Sequence, residues 1–437
     1  MKIKKIIVTI VVVSLLLSSA TATAEVYADK IPVVSDFELK LSGFAHFQAG
    51  LRNQSKLAGD EKNVSSNRKN FAFFNEAGMM VDASKEVNDI KYGGKVVLVP
   101  TASRKGSPDY NGSHIYLKSD FGKIEAGSPI SPSSQMMIDG GTIAAATFDD
   151  WHRYADFSTK YLMQESKVEP SFSTFAEYFL DSKLITKLDS RTYSSEPARS
   201  VAYYTPKFAF GSSTKLQIGV AYTPDSSNTG ADNPYTNSSG EDTRKIETGG
   251  IDKFVIDRTV KDAFSGGVSI EQNFSDGIDA KIAVTGEYGK SAGRAKKFAT
   301  ANDPNPETFR LSNLRTFNIG ALLNVGNFSY AGSFGSLGKS LTAPEFHKTG
   351  RKTDYYSGTV AYKQGPFAAS ISYFKSDQFK NTVDAVSVGT NYLLAPGFKP
   401  YAEVSSFVLK GRPEFRSDLS KKKTRGTIAL IGAKLSL

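Results

Sequence analysis

Three stretches carry residue types and spacings that could do chemistry. "GSFGSLGKS", residues 332–340, ends in Gly338-Lys339-Ser340, as does a loop that wraps phosphate in backbone N–H groups and meets its charge with lysine. That pattern needs glycine at position 333, which is Ser333. The acidic run "DSSNTGADNPYTNSSGEDTRK", 225–245, offers Asp225, Asp232 and Asp242 as hard oxygen ligands, but without the spacing of a calcium loop, so it reads as a solvated surface loop. A serine hydrolase would need a histidine held beside a serine. Of the four histidines, His46, His114, His152 and His347, the first two fall at wall or rim positions of the architecture derived below. With no cysteine in the chain, thiol chemistry and disulfide stapling are excluded. No enzyme activity, cofactor or metal is implied.

The elements around these stretches are more informative. Lys2, Lys4 and Lys5 precede an apolar run from Ile6 to Leu17 and the small residues "SSATATAEV", with Ala22-Thr23-Ala24 as a cleavage site. This reads as a secretory leader over 1–24, too short to span a bilayer, followed by one mature domain over 25–437. Removing the leader lysines lowers the formal charge from +10 to +7. Export makes nucleic acid an unsuitable partner for that mild positive charge; anionic solutes and membrane headgroups fit it better. No later segment is apolar enough for a membrane helix, but a transmembrane strand needs only about 9–11 residues with one lipid-facing side.

Twenty Tyr, 29 Phe and 37 Gly favour strands and turns. "FELKLSGFAHFQAGLR" alternates Phe37, Leu39, Leu41, Ala45, Phe47 and Leu51 on one face with Lys40, Ser42, His46, Gln48 and Arg52 on the other. Similar strands are expected near 70–84, 89–101, 112–119, 122–129, 199–207, 214–224, 263–275, 279–289, 313–324, 327–336, 355–363, 366–376, 382–394, 398–410 and 424–437. That makes sixteen. Tight links such as "SKEV", "SDF", "SDGI" and "APG" alternate with long polar ones.

An even number of long strands, joined by short turns at one end and long loops at the other, predicts an all-β, transmembrane, antiparallel up-and-down β-barrel of the bacterial outer membrane, closed so that no edge meets lipid. The final segment "TIALIGAKLSL" alternates to its last residue and is expected to pair with the first strand. Val201, Tyr203, Leu216, Ile218, Val220, Tyr222, Val268, Ile270, Ile282, Val284, Tyr288, Phe367, Ala369, Ile371 and Tyr373 then face lipid, with Tyr and Phe near strand ends as aromatic girdles. By the same parity Lys40, Arg52, Lys91, Lys95, Lys118, Lys123, Lys215, Lys281 and Lys434 face the lumen.

"IYLKSDFGKIEAGSP", 115–129, resembles the fourth strand, tight turn and fifth strand of the general bacterial porins through Tyr116, Leu117, Phe121, Gly122 and Gly127. "SVAYYTPKFAFG", 200–211, resembles the family's Tyr-x-Ser/Thr-Pro-x-Phe strand and turn. With the leader and the terminal strand, the resemblance covers nearly the whole mature chain. It departs from the family at the last residue, where Leu437 stands in place of the usual Phe.

The resemblance implies a homotrimer in outer-membrane lipid, and a third long loop, here 130–198, folded into the lumen. Asp139, Asp149, Asp150 and Asp156 would be the acids of that constriction, and Lys95, Lys91, Lys118, Lys123, Lys281 and Arg52 the basic wall opposite. Sixteen strands leave a water-filled channel, so passive diffusion of ions and small hydrophilic solutes is the expected function. Two rivals stay open. A substrate-selective channel would line its lumen with aromatics such as Phe44, Tyr116 and Tyr204; a loop-plugged adhesin or structural anchor would use the long loops 130–198 and 225–262.

Overall fold

The computed structural model describes residues 37–55, 70–99, 109–155, 198–226, 245–246, 254–256, 259–292, 294–297, 308–342, 352–378, 381–410 and 423–437. The leader, Asp156 and the stretch 171–188 of the long loop lie outside the described residues. Sixteen strands follow one another around a single closed sheet. They are β1 (Glu38–Gln54), β2 (Phe71–Val87), β3 (Ile90–Val99), β4 (Asp109–Ser119), β5 (Gly122–Gly127), β6 (Ser200–Tyr204, continued by Phe208–Phe210), β7 (Thr214–Asp225) and β8 (Val260–Ser275). The second half comprises β9 (Ile278–Ser291), β10 (Leu314–Val325), β11 (Phe328–Gly338), β12 (Thr353–Gln364), β13 (Phe367–Gln378), β14 (Asn381–Tyr392), β15 (Phe398–Lys410) and β16 (Lys423–Ser436).

Each strand pairs antiparallel with the next, and β16 closes the ring on β1 from Phe44↔Ser436 to Gln54↔Gly426. Closure reaches the last residue: the Leu437 N–H donates to Gly43 O at 2.9 Å, and the Gly43 N–H to Leu437 O at 3.3 Å. The outward face is apolar. Leu39, Phe47, Ile115, Ile282, Ile371 and Ile431 are 51–68 % exposed, which suits hydrocarbon rather than water.

Two boundaries differ from the sequence reading. Strand β2 runs through "SKEV" to Val87, and the turn falls at Asn88 and Asp89 with φ of 51° and 63°. Both residue types tolerate that left-handed backbone, so a two-residue hairpin turn sits there. The expected strand 199–207 is two pieces, because Pro206 has no N–H for the ladder; both pieces pair with β7. The segments 245–246, 254–256, 294–297 and 308–310 form a separate four-stranded sheet from two stretches of the chain read from sequence as loop.

Candidate functional site

Inside the ring, residues 131–155 lie along the inward faces of successive strands. Local chemistry folds the segment into three tight turns. Pro132 starts the first, Pro132–Gln135. Asp139 caps the second, Gly140–Ile143: its carboxylate accepts from the Thr142 N–H and hydroxyl, each at 3.0 Å, while the Asp139 N–H donates to Thr142 Oγ1. The third is Asp150–Arg153.

The wall then takes the segment strand by strand. Ser133 donates to Glu287 on β9 at 2.9 Å, and its N–H to Ser265 on β8. Asn318 on β10 donates to Ile138 O, the Gly140 N–H donates to Ser357 on β12, and the Ala145 N–H to Ser370 on β13. Asn391 on β14 donates to Ala145 O, and Lys434 on β16 to Ala146 O. Glu403 on β15 accepts from the Thr147 N–H at 2.8 Å, the Thr147 hydroxyl at 2.9 Å and the Phe148 N–H at 3.2 Å. These bonds hold Phe148 at a φ of 71°, a conformation a bulky residue keeps only when its surroundings impose it.

Close approach of loop to wall requires small wall residues. A Cβ on Gly219 would stand 2.8 Å from Met136 Sδ, and one on Gly389 2.7 Å from Ala146 Cβ. On Gly320 it would strike the carbonyl of Ile138, and on Gly50 the ring of Tyr154. Inward serines and glycines therefore form a track for the loop. Beyond the track lies a dry cluster: Trp151 is 1 % exposed and stacks on Phe407, and Phe148 meets Phe374 edge-on, among Tyr355, Leu409, Ile428 and Leu430.

At β1 and β2 the contacts turn polar. Gln48 donates to Asp150 at 3.2 Å and to the Tyr401 hydroxyl at 2.6 Å. Arg153 pairs with Asp150 at 2.7 Å and lies over the Phe74 ring, 4.2 Å from its centroid. Burial alone would lower the Arg153 guanidinium, but Asp150, with Glu76 and Asp149 nearby, holds it above the ordinary arginine range. Burial, with Asp150 adding to it, pushes the Tyr154 phenol up to about 12.

The expected site residues are thus distributed as follows. Asp139 and Asp150 are buried, one capping a turn and the other between Gln48 and Arg153; Asp149 is half-buried at the head of the third turn. Lys91, Lys118 and Lys123 stand in one register row across β3, β4 and β5. Lys91 reaches Glu38 at 3.6 Å, and Lys123 reaches Glu125 at 2.7 Å. Lys95 lies between Asp82 and His114 in register. Lys281 sits near the short-turn rim, where Glu271 also pairs with Lys207. Arg52 is on the inward face of β1, opposite Ile428 of β16.

Sequence reasoning missed the wall carboxylates Glu287 and Glu403 as loop acceptors, and Arg153 as a loop cation. Glycine and serine recurring at inward positions of strands, where they weaken a sheet without another reason to be there, was the signal available.

Comparison with known proteins fits this geometry. A family model described as Gram-negative porin matches residues 9–411. The chain is 41 % identical over 431 residues to an uncharacterized protein of Rickettsia bellii (95 % of this chain, 97 % of the relative), and 42 % identical over 421 residues to one of Rickettsia felis (92 % and 94 %). The anion-selective porin of Comamonas acidovorans matches 92 % of this chain and 100 % of its own, with a TM-score of 0.52 and 11 % identity, a likeness of fold alone. With a closed sixteen-strand ring, an apolar outer face and a loop laid along its inner wall, the chain belongs to the Gram-negative porin family, outer-membrane β-barrels that act as channels.

Proposed function

We propose that this barrel is an open, passively conducting pore for ions and small hydrophilic solutes, constricted by residues 131–155, and that it works as a homotrimer. The observation that carries the reading is the route of that segment. Its wall contacts run from β7 through β16 to β1 and β2, which leaves the sector of β3 to β5 to border the conducting path. There Lys91, Lys95, Lys118 and Lys123 stand among Asp82, Glu86 and Glu125, a wet, mixed-charge wall of the kind that biases ions by charge. Asp149, with Arg153, would form the loop side of that path, while Asp139 and Asp150 shape the loop rather than meet solute. A stacking slide for one substrate class gains little from the aromatics expected for it: Tyr204 is buried, and of the half-buried Phe44 and Tyr116 the latter donates to Asp82 at 2.8 Å.

The absence of cysteine makes the test direct. Single-cysteine variants in planar bilayers are exposed to a charged, membrane-impermeant thiol reagent. Lys95→Cys, Lys118→Cys and Lys123→Cys are expected to lose conductance on modification, while Ser372→Cys and Ser405→Cys, beneath the loop, are not. Conductance steps in groups of three would support the trimer. Silent bilayers from well-folded protein would overturn the pore reading and favour the plugged anchor.

A further inference from the structure

One joint recurs along the inner wall: an aromatic ring laid over a glycine that stands directly opposite on the neighbouring strand. It is found at Phe44↔Gly78, Gly93↔Tyr116, Gly335↔Tyr355, Tyr401↔Gly432 and Phe407↔Gly426, and at each a Cβ on the glycine would strike the ring. Glycine leaves a recess there that takes the aromatic. Tyr355, Tyr401 and Phe407 are buried and belong to the wall that the loop covers. Tyr116 is half-buried and stands on β4, in the sector that the wall contacts of the loop leave uncovered.

At Tyr116 the recess is matched by a tether. A Cβ on Gly93 of β3 would stand 2.8 Å from both Cζ and Oη of the ring, and 2.5 Å from the Ala83 carbonyl of β2. The ring therefore crosses β3, and its hydroxyl donates to Asp82 Oδ1 on β2 at 2.8 Å. A hydrogen bond to an ionised acceptor is among the stronger ones. Tyr116 thus lies flat along the wall. The register sets it between two levels of basic residues: Lys95 and His114 one step towards the long loops, and Lys91, Lys118 and Lys123 one step towards the short turns. A ring that left the recess would stand in the lumen between those levels, on the side where the wall borders the conducting path.

We propose that Tyr116 sets the size limit of the conducting path, with Gly93 and Asp82 as the residues that position it. Tethered, the ring is stowed on the wall and the path is open; released, it swings inward and narrows the path. The inference rests on the reading of the barrel as an open pore bordered by β3 to β5. It reaches uncharged solutes as well as ions, because the ring acts through its volume.

The test uses the full-length folded barrel in planar bilayers, with polyethylene glycols of graded size as uncharged probes. Tyr116→Phe keeps the ring and removes the tether, so brief partial closures are expected about tenfold more often than in wild type. Asp82→Ala should match it. Tyr116→Ala should remove the excess closures, alone and combined with Asp82→Ala, and should admit larger polymers than wild type. Asp82→Ala also deletes a charge, which moves the reversal potential whether or not Tyr116 is present and so is read separately. Closures no more frequent in Tyr116→Phe than in wild type, closures as frequent in the double variant as in Asp82→Ala alone, or an unchanged polymer limit in Tyr116→Ala would each overturn the proposal while the pore reading stood. Folded wild type that stays silent would overturn both.

Discussion

The indole of Trp151 stacks on the ring of Phe407, centroids 4.7 Å apart and planes 22° from parallel, and it is the one tryptophan in the chain. The contact joins the third turn of the loop to the wall strand β15 in a site closed to water. The protein therefore carries its own optical reporter of loop docking. Phe407→Ala is expected to red-shift Trp151 emission and raise its quenching by acrylamide, while heat-modifiable migration shows the barrel still closed. Truncating a buried aromatic costs about 3–5 kcal/mol, most of it here in the loop–wall contact. Emission identical to wild type would mean that the stacking does not hold the loop.

Glu403 collects three donors from Thr147 and Phe148, and a fourth from the Ser405 hydroxyl at 2.9 Å. All three loop donors meet Oε2, a place the amide oxygen of Glu403→Gln could take, whereas Glu403→Ala leaves the Thr147 and Phe148 N–H groups without that acceptor at a cost of about 1–3 kcal/mol each. The expected outcome is flickering single-channel current with little change in mean conductance. A steady trace indistinguishable from wild type would show that the carboxylate is dispensable.

The glycine track makes a steric prediction. At Gly320 the obstacle is the backbone carbonyl of Ile138, which cannot rotate away; at Gly219 the nearest atom is Sδ of the flexible Met136 side chain at 2.8 Å, with Pro132 Cβ and a Tyr204 ring carbon at 3.0 Å. Gly320→Ala should displace the loop and alter conductance, whereas Gly219→Ala should be absorbed by a new Met136 rotamer and a shift of a few tenths of an ångström at Pro132 and Tyr204. Equal effects at both sites would argue that the loop has slack where the track looks tight.

Tyr154 supplies a pH dependence. Its phenol donates to Gln48 O at 3.4 Å, and burial holds it protonated up to about 12. The docked pKa lies above the roughly 10 of a free phenol, so docking keeps its full contribution below pH 10 and loses it as pH rises towards 12. Trp151 emission should therefore shift red across that interval, and Tyr154→Phe, which keeps the ring packing, should shrink the shift. An undiminished shift in the variant would assign it to other groups.

Much of this was legible in the sequence, for physical reasons. Lipid on one side of a strand and protein or water on the other impose a period of two, so the outward set from Val201 to Tyr373 could be read directly, and Ile431 with it. The inward face obeys no such rule. Ile428 and Leu430, on the lumen side of β16, are buried at 0 % and 2 % exposure because the loop covers them; from sequence they look like any apolar residues at polar-side positions. The loop acids read as pore-lining because carboxylates in a long loop are usually solvated. Asp139 is instead spent on its own turn, and Asp150 on Gln48 and Arg153. Those pairings depend on where the loop lands, and that depends on glycines scattered over β1, β7, β8, β10 and β14 that no local pattern connects.

The charge of the uncovered sector makes the sharpest prediction about selectivity. Lys118 stands in register between Lys91 and Lys123, and both neighbours already have acids close by, Glu38 and Glu125. Its own field is thus the least compensated of the row. Lys118→Glu reverses that charge in mid-row and should move the reversal potential under a salt gradient towards cations, with a smaller change in conductance. Lys281→Glu, whose lysine stands at a similar height but on β9, under the loop-covered wall and outside the β3 to β5 sector, beside Glu271 and Lys207, should shift it less, since charges beyond about one Debye length of the conducting path are screened. The difference between the two variants should fade on raising the salt from 0.1 M to 1 M, as the screening length falls from about 10 Å to 3 Å. A larger shift from Lys281→Glu would place the conducting path against β9, away from the β3 to β5 wall.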